Sequence, residues 1–154
     1  GDTIKHKQGS IQFSTTHQGH STGIAASLAV QKIIHKSIFL KNVIKNGEYV
    51  RKVLKSELGN HEFYLNVRGR GLRNSLEYNC KNKHLFGVAL TEFAKNKQNL
   101  LISAKWHRVC FCHAINISKK NLDNILEKFV DCFKSVSKQW TEGNIKKIKN
   151  RSFY

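Results

Sequence analysis

Seven apolar residues towards the end of the chain, Leu122, Ile125, Leu126, Phe129, Val130, Phe133 and Val136, recur at intervals of three and four. That spacing gathers them on one stripe of an α-helix. Such a helix must lay its stripe on a second layer to be stable. The residues just upstream can supply that layer. From Arg108 to Ile117 the positions Val109, Phe111, His113, Ile115 and Ile117 alternate, which predicts a strand with one covered face. Ser118 stands between the two patterns, where its hydroxyl can cap the helix.

The same two periods recur upstream. Ala26, Val30, Ile33 and Ile34 predict one helix, entered through Ser21 or Thr22 as N-cap. Leu40, Val43, Ile44, Val50 and Leu54 predict a second, ended at Gly59-Asn60. Gly47 lies inside it, at a cost of about 1 kcal/mol relative to Ala. A strand is expected from His61 to Val67, running into Arg68-Gly69-Arg70-Gly71-Leu72 and resuming at Leu76-Glu77-Tyr78. Glycines this close in a strand indicate a bulge or a close backbone approach. Phe86, Leu90, Phe93 and Ala94 mark a short helix, and Asn99 to Lys105 a further strand. The expected fold class is α+β, with long N-terminal helices leading into a small antiparallel sheet covered on one side by helices. Residues 1–21 are polar and irregular, and Gln139 to Tyr154 are polar and basic, expected as a short helix with a frayed end.

Composition narrows the function classes. No apolar run is long enough to span a bilayer, and Gly1 to Lys7 lacks the apolar core of a signal peptide. The formal net charge is +17. A polyanion partner such as nucleic acid is one reading of that charge. The other is coding bias, because Lys greatly exceeds Arg and is spread along the chain, and that spread favours bias. Cys80, Cys110, Cys112 and Cys132 fit neither a zinc spacing nor a disulfide framework. They are read as reduced thiols, which points to the cytoplasm or an organelle matrix.

Three segments are candidates for chemistry. Thr15 to Gly23 is rich in hydroxyls and leads into a helix, so it can present hydroxyls and amides to a phosphate. An ordinary capping loop is the plainer reading. His17 and His20 have no carboxylate beside them to complete a metal site. Arg68 to Leu72 is either an anion clamp or a strand whose arginines alternate with glycines. Trp106-His107-Arg108 with Cys110, Cys112 and His113 reads as structural thiols rather than a nucleophilic pair, since Cys110 and His113 belong to opposite strand faces.

The order of these motifs resembles the C-terminal portion of class III (ornithine/omega-type) pyridoxal-phosphate-dependent aminotransferases. Thr16-His17-Gln18-Gly19-His20-Ser21 followed by Ala25 to Val30 is similar to the family's T-x-x-G-H-P loop and Ala-rich helix. Leu40-Lys41-Asn42-Val43 and Asn46 to Val50 are similar to its L-x-x-V and x-G-x-x-L helix. Asn66-Val67-Arg68-Gly69-Arg70-Gly71-Leu72 is close to its D-V-R-G-R-G-L strand, and Leu76-Glu77-Tyr78 to the g-I-E-h that follows. Ile117 to Asp123 is similar to the I-T-x-x-E-L/I-D start of its last helix. The resemblance runs over about residues 9–137. It implies the small C-terminal domain of a fold-type I enzyme over 38–154, preceded by the end of the large domain over 1–37. It also implies pyridoxal 5'-phosphate as cofactor, held with the missing part or across a dimer, and amino transfer between an amine and a keto acid.

By the resemblance, Thr16 contacts the cofactor phosphate of a neighbouring subunit, with Thr15, Gly19 and His20 completing the loop. The family's substrate-carboxylate arginine falls at about Cys110. Arg108, two residues earlier on the same strand face, takes its place as candidate, together with Arg70. Ser21 replaces the loop proline, and His113-Ala114 a double proline. The family's cofactor lysine lies upstream of the matched stretch, so no catalytic residue is assigned and no metal is expected. The chain is therefore expected to be inactive alone and to need a homodimer or a partner chain carrying the large domain. The alternative is a non-catalytic basic module that binds nucleic acid or another polyanion on the same fold.

Overall fold

The computed structural model describes residues 16–141. Thr15, the irregular N-terminal segment and most of the basic tail lie outside the described residues. The chain divides into two compact units, Gly1–Phe39 and Leu40–Tyr154.

Within the first unit, α1 spans Ser21–Ile34 and buries none of its residues. Ile24, Leu28, Val30 and Ile33 all stand exposed. Helix α2 begins in this unit and spans Ser37–Leu58.

The second unit continues from α2 through β1 (Tyr64–Arg70), β2 (Arg73–Tyr78), α3 (Lys83–Gln98), β3 (Ser103–Lys105), β4 (Arg108–Cys112) and α4 (Lys119–Thr141). The four strands form one antiparallel sheet in the order β1-β2-β4-β3. Strand pleating sends alternate residues to opposite faces. Leu76 and Tyr78 of β2 and Val109 and Phe111 of β4 point inwards. There they meet Val50, Leu54 and Leu58 of α2, Phe86 and Leu90 of α3, and the α4 stripe from Leu122 to Val136. All three helices thus cover one face, as the period-two and helical patterns require. Phe86 lies at the centre, with its ring 5.0 to 5.7 Å from those of Tyr78, Phe63, Trp140 and Phe133.

Three expected strands are revised. His61 to Tyr78 is not one interrupted strand but a hairpin. Gly71, at φ +52°, supplies the left-handed residue that its tight turn needs. Helix α3 runs to Gln98 and closes on Asn99 at φ +49°, so the next strand starts at Ser103 rather than Asn99. Strand β4 stops at Cys112. Beyond it the chain turns, with the Ile117 amide donating to the Ala114 carbonyl (3.0 Å), and Ile115 faces solvent. Val109 and Phe111 keep the predicted inward face, and Ser118 caps α4 by accepting from the Asn121 amide (3.2 Å).

The glycines do mark a close backbone approach. A Cβ on Gly69 would lie 2.6 Å from the Asn74 Cα across the hairpin. The bulge in this strand falls elsewhere, between Tyr64 and Asn66.

His61, in the link between α2 and β1, gives the unit a pH dependence. Its Nδ1 accepts from the Phe63 amide (3.1 Å), and its ring packs edge-on to Phe63 and Phe133. Burial holds its pKa below the ordinary value, with a smaller opposing effect from Glu62. A depressed histidine pKa means the unfolded chain takes the proton more readily. Stability is therefore full above the ordinary histidine range, near 6.5, and falls as pH drops through the folded value. Denaturant unfolding at pH 7 and pH 5 should show this loss. His61→Asn, whose side-chain oxygen can still accept from the Phe63 amide, should flatten the dependence. An unchanged pH slope in that variant would remove His61 from the explanation.

Candidate functional site

The segment read from the sequence as a phosphate-type loop belongs to the first unit. Thr16 to Gly19 form a turn, with Gly19 at φ +76°. The His20 amide donates to the His17 carbonyl (3.3 Å), which closes the turn. His20 itself, not Ser21 or Thr22, is the N-cap of α1, because its Nδ1 accepts from the Gly23 amide (3.1 Å). An imidazole spent in this way orients the helix end. The expectation erred by considering only hydroxyl caps. Helix geometry leaves the first amides, those of Ser21 and Thr22, without intrahelical acceptors. No acidic residue lies in the first turn. Thr16, Gly19 and His20 are exposed. The loop therefore offers hydroxyls, free amides and the positive end of a helix dipole to an anion, with nothing negative opposing it. These groups fit a phosphate.

The two arginines proposed from the sequence belong to the second unit. Both lie on the face of the sheet turned away from the core. Arg108 pairs across the ladder with Glu77 and Lys105, and Arg70 with Arg73, which in turn faces Cys112. By strand geometry this register sets Arg70 and Arg108 roughly 16 Å apart, at opposite ends of the sheet. The fold does not bring them onto one small ligand. Cys110 shares the outer face with Arg108, as expected from alternation, and is half-buried. Between the two ends Arg68 forms an ion pair with Glu77 (2.6 Å).

The thiols do not form a reactive centre. All four cysteines are free. Burial pushes the Cys80 thiol up to about 11 and raises that of Cys132, which disfavours the nucleophilic thiolate at neutral pH. His113 stacks on Phe111 (centroids 5.9 Å apart), with its Nδ1 shielded from solvent and unpartnered. Burial lowers its pKa. Among the described residues no hydrogen bond joins it to Cys110 or Cys112, and no three His, Cys, Asp or Glu side chains gather as a metal site. No helix among the described residues is long and apolar enough to cross a membrane.

Sequence reasoning gave little weight to Trp106. It stands at the β3–β4 turn with φ +62° and its side chain 76% exposed. The turn is pinned by Tyr78, whose amide donates to the His107 carbonyl (2.9 Å) and whose hydroxyl reaches the Trp106 carbonyl (3.3 Å). A bulky residue at positive φ is uncommon enough to have been a signal, but φ is not readable from sequence.

Comparison with known proteins gives these features a context. No family model matches the chain. An aminotransferase of Gibberella zeae is 42% identical over 77 residues, half of this chain and 15% of the relative. An acetylornithine aminotransferase of Bacillus cereus is 30% identical over 126 residues, 80% of this chain and 31% of the relative. Among solved structures, an omega transaminase from Pseudomonas jessenii in complex with PMP superposes with a TM-score of 0.75 at 19% identity. The match covers 92% of this chain and 32% of that one. At that identity the likeness is one of fold, and the fold is the expected α+β arrangement. The chain spans between 15% and 34% of the length of these relatives and of the other matched transaminases.

Proposed function

We propose, from a chain that carries the sequence likeness of aminotransferases and the fold of omega transaminases along most of its length, that it is the C-terminal part of a class III pyridoxal-phosphate-dependent aminotransferase. The observation that supports this most is the coincidence of the two lines at one place. The segment resembling the family's phosphate loop is also an exposed, acid-free helix start with unspent amides.

Pyridoxal phosphate, when bound, supplies the electron sink through which an amino group passes between an amine and a keto acid. The role of this chain is to hold and orient. The Thr16 hydroxyl and the amides of Ser21 and Thr22 would donate hydrogen bonds to the phosphate oxygens, the dipole of α1 would add favourable charge, and Gly19 lets the loop turn. His20 fixes the start of the helix through Gly23. Thr15, which lies outside the described residues, is the other loop hydroxyl assigned to the phosphate on this reading. At the sheet, Arg108 presents a guanidinium to a substrate carboxylate. Arg70, at the far end, serves a separate contact. The lysine that carries the reaction in such enzymes is assigned to none of these residues, so amino transfer needs the large domain, in the same or another polypeptide, and a dimer that brings the loop to its cofactor. The apolar residues exposed on α1 are the surface that this larger part covers. Free thiols throughout suit a reducing compartment such as the cytoplasm or an organelle matrix.

The loop assignment is tested by combining the chain with the N-terminal two-thirds of the Bacillus cereus relative and titrating pyridoxal phosphate. Thr16→Val should weaken binding about ten- to a hundredfold, the effect of losing one hydrogen bond to a charged group. Pyridoxal, which lacks the phosphate, should bind both forms equally. Equal weakening for both ligands, or none for either, would contradict the assignment.

A further inference from the structure

Glu77 has two arginines within reach and bonds only one of them. It stands on the outer face of β2, the strand that lies between β1 and β4. Its cross-strand partner on β4 is Arg108. Residues opposed in this way hold their Cβ atoms roughly 5 Å apart. Arg68 is a diagonal neighbour on β1, two positions beyond Asn66, which is the direct partner there. Diagonal neighbours are farther apart, at roughly 7 Å. By register alone Arg108 is the nearer cation. The carboxylate nevertheless turns to Arg68. Its Oε1 accepts from the Arg68 Nε (2.8 Å) and from the Nη2 (2.6 Å), and among the described residues Glu77 has no hydrogen bond or ion pair with Arg108.

Burial makes this choice consequential. The Glu77 side chain is only 13% exposed. A carboxylate so far removed from water needs a cationic partner. With Arg68 gone, the guanidinium next to hand is Arg108. That group is exposed and, among the described residues, unpaired. Its neighbour on the other side is Lys105, a like charge that cannot pair with it. Alternation turns Asn66, Arg68 and Arg70 of β1, Arg73, Ser75 and Glu77 of β2, Ser103 and Lys105 of β3, and Cys110 and Cys112 of β4 to this face. Glu77 is the one acid among them, so it alone can fill Arg108 from within the sheet.

We propose that Arg68 is a positioning residue: by holding Glu77 it keeps that carboxylate off Arg108 and leaves the Arg108 guanidinium open to a substrate carboxylate. The idea deepens the aminotransferase reading and rests on the role given there to Arg108. An arginine occupied from within for part of the time binds an incoming carboxylate more weakly by that fraction.

The first readout uses the 154-residue chain. Phenylglyoxal modifies unpaired guanidinium groups faster than paired ones, and peptide mass spectrometry follows each arginine separately. Arg70, unpaired at the other end of the sheet, is the internal standard. Arg68→Gln should slow modification of Arg108 about threefold relative to Arg70, the occupancy that a cross-strand opposite-charge pair supports. Arg68→Gln/Glu77→Gln should restore the parent rate, because the competing carboxylate is gone. An unchanged Arg108 rate in Arg68→Gln would overturn the proposal. So would a rate still slow in the double variant, which would show a general disturbance of the sheet.

The second readout is kinetic, with the N-terminal two-thirds of the Bacillus cereus relative added. Arg68→Gln should raise KM for the keto acid about threefold with kcat within about twofold, and the double variant should return KM to the parent value. A KM that does not rise, or does not return, would overturn the proposal. A mixture without activity would instead contradict the aminotransferase reading, while the modification rates in the isolated chain still decide whether Arg68 governs Arg108.

Discussion

Gly47→Ala should destabilise the second unit by about 2–3 kcal/mol, despite being a change that normally stabilises a helix. In an unconstrained helix interior, Ala gains about 1 kcal/mol over Gly. Here the Cβ would run into the backbone of the hairpin turn, on the Gly71 carbonyl oxygen and within 2.9 Å of its Cα. The obstacle is backbone rather than a flexible side-chain end, so either α2 or the β1–β2 hairpin must move. Overpacking of this kind costs about 1–3 kcal/mol and occasionally more. The turn is also tied from other sides. Asn74 donates from Nδ2 to the Gly71 carbonyl (3.1 Å) and accepts at Oδ1 from Arg51 of α2 (2.9 Å), and the Val43 side chain lies against Gly71. Thermal unfolding should show a midpoint about 10–20 °C lower, given the shift per kcal/mol usual for a domain this size. Gly47→Val should cost more. Lys52→Ala, on the exposed side of the same helix, should change stability by no more than about 0.5 kcal/mol. A Gly47→Ala protein as stable as the parent would mean that the helix and the turn do not touch.

That contact also shows what the sequence could and could not reveal. Periodicity alone located the four helices and the inward residues of β4, because an amphipathic face leaves a local signature. Gly47 was visible as an anomaly, but its reason was not. It lies in a residue 24 positions downstream, and such pairing enters the sequence only through the identity of both glycines. The hairpin was misread for a related reason. Arg68 to Leu72 has a strand-like alternation, and the turn depends on the backbone angle of Gly71, which alternation does not encode. The strands flanking Trp106 were drawn too long because Asn99 serves as a left-handed helix cap, a role that asparagine shares with ordinary loop positions.

The site was less legible than the fold. Thr16, Gly19 and His20 stood out weakly by their local pattern, a hydroxyl-rich loop leading into a helix, and more sharply by the order of motifs. The structure adds that His20 is also the helix cap, accepting from the Gly23 amide through Nδ1. Arg70 and Arg108 look close in character along the sequence, and only the register places them at opposite ends of the sheet.

The larger of the remaining effects concerns activity itself. On the proposed reading the chain supplies a phosphate loop and the small sheet domain, and no residue is assigned to carry the amino group, so it should transfer none by itself. Mixed with the N-terminal two-thirds of the Bacillus cereus acetylornithine aminotransferase, it should restore what either piece lacks. The gain comes from placing an existing reactive group against a bound phosphate and a substrate carboxylate, and positioning of that kind accounts for a large share of an enzyme's rate. The decisive measurement is amino transfer from acetylornithine to a keto acid by each piece and by the mixture, with pyridoxal phosphate present and the relative's own C-terminal third as positive control. Transfer only in the mixture, reduced in Thr16→Val, is the predicted result. Transfer by the chain alone, or an inert mixture where the relative's own third restores activity, would contradict it.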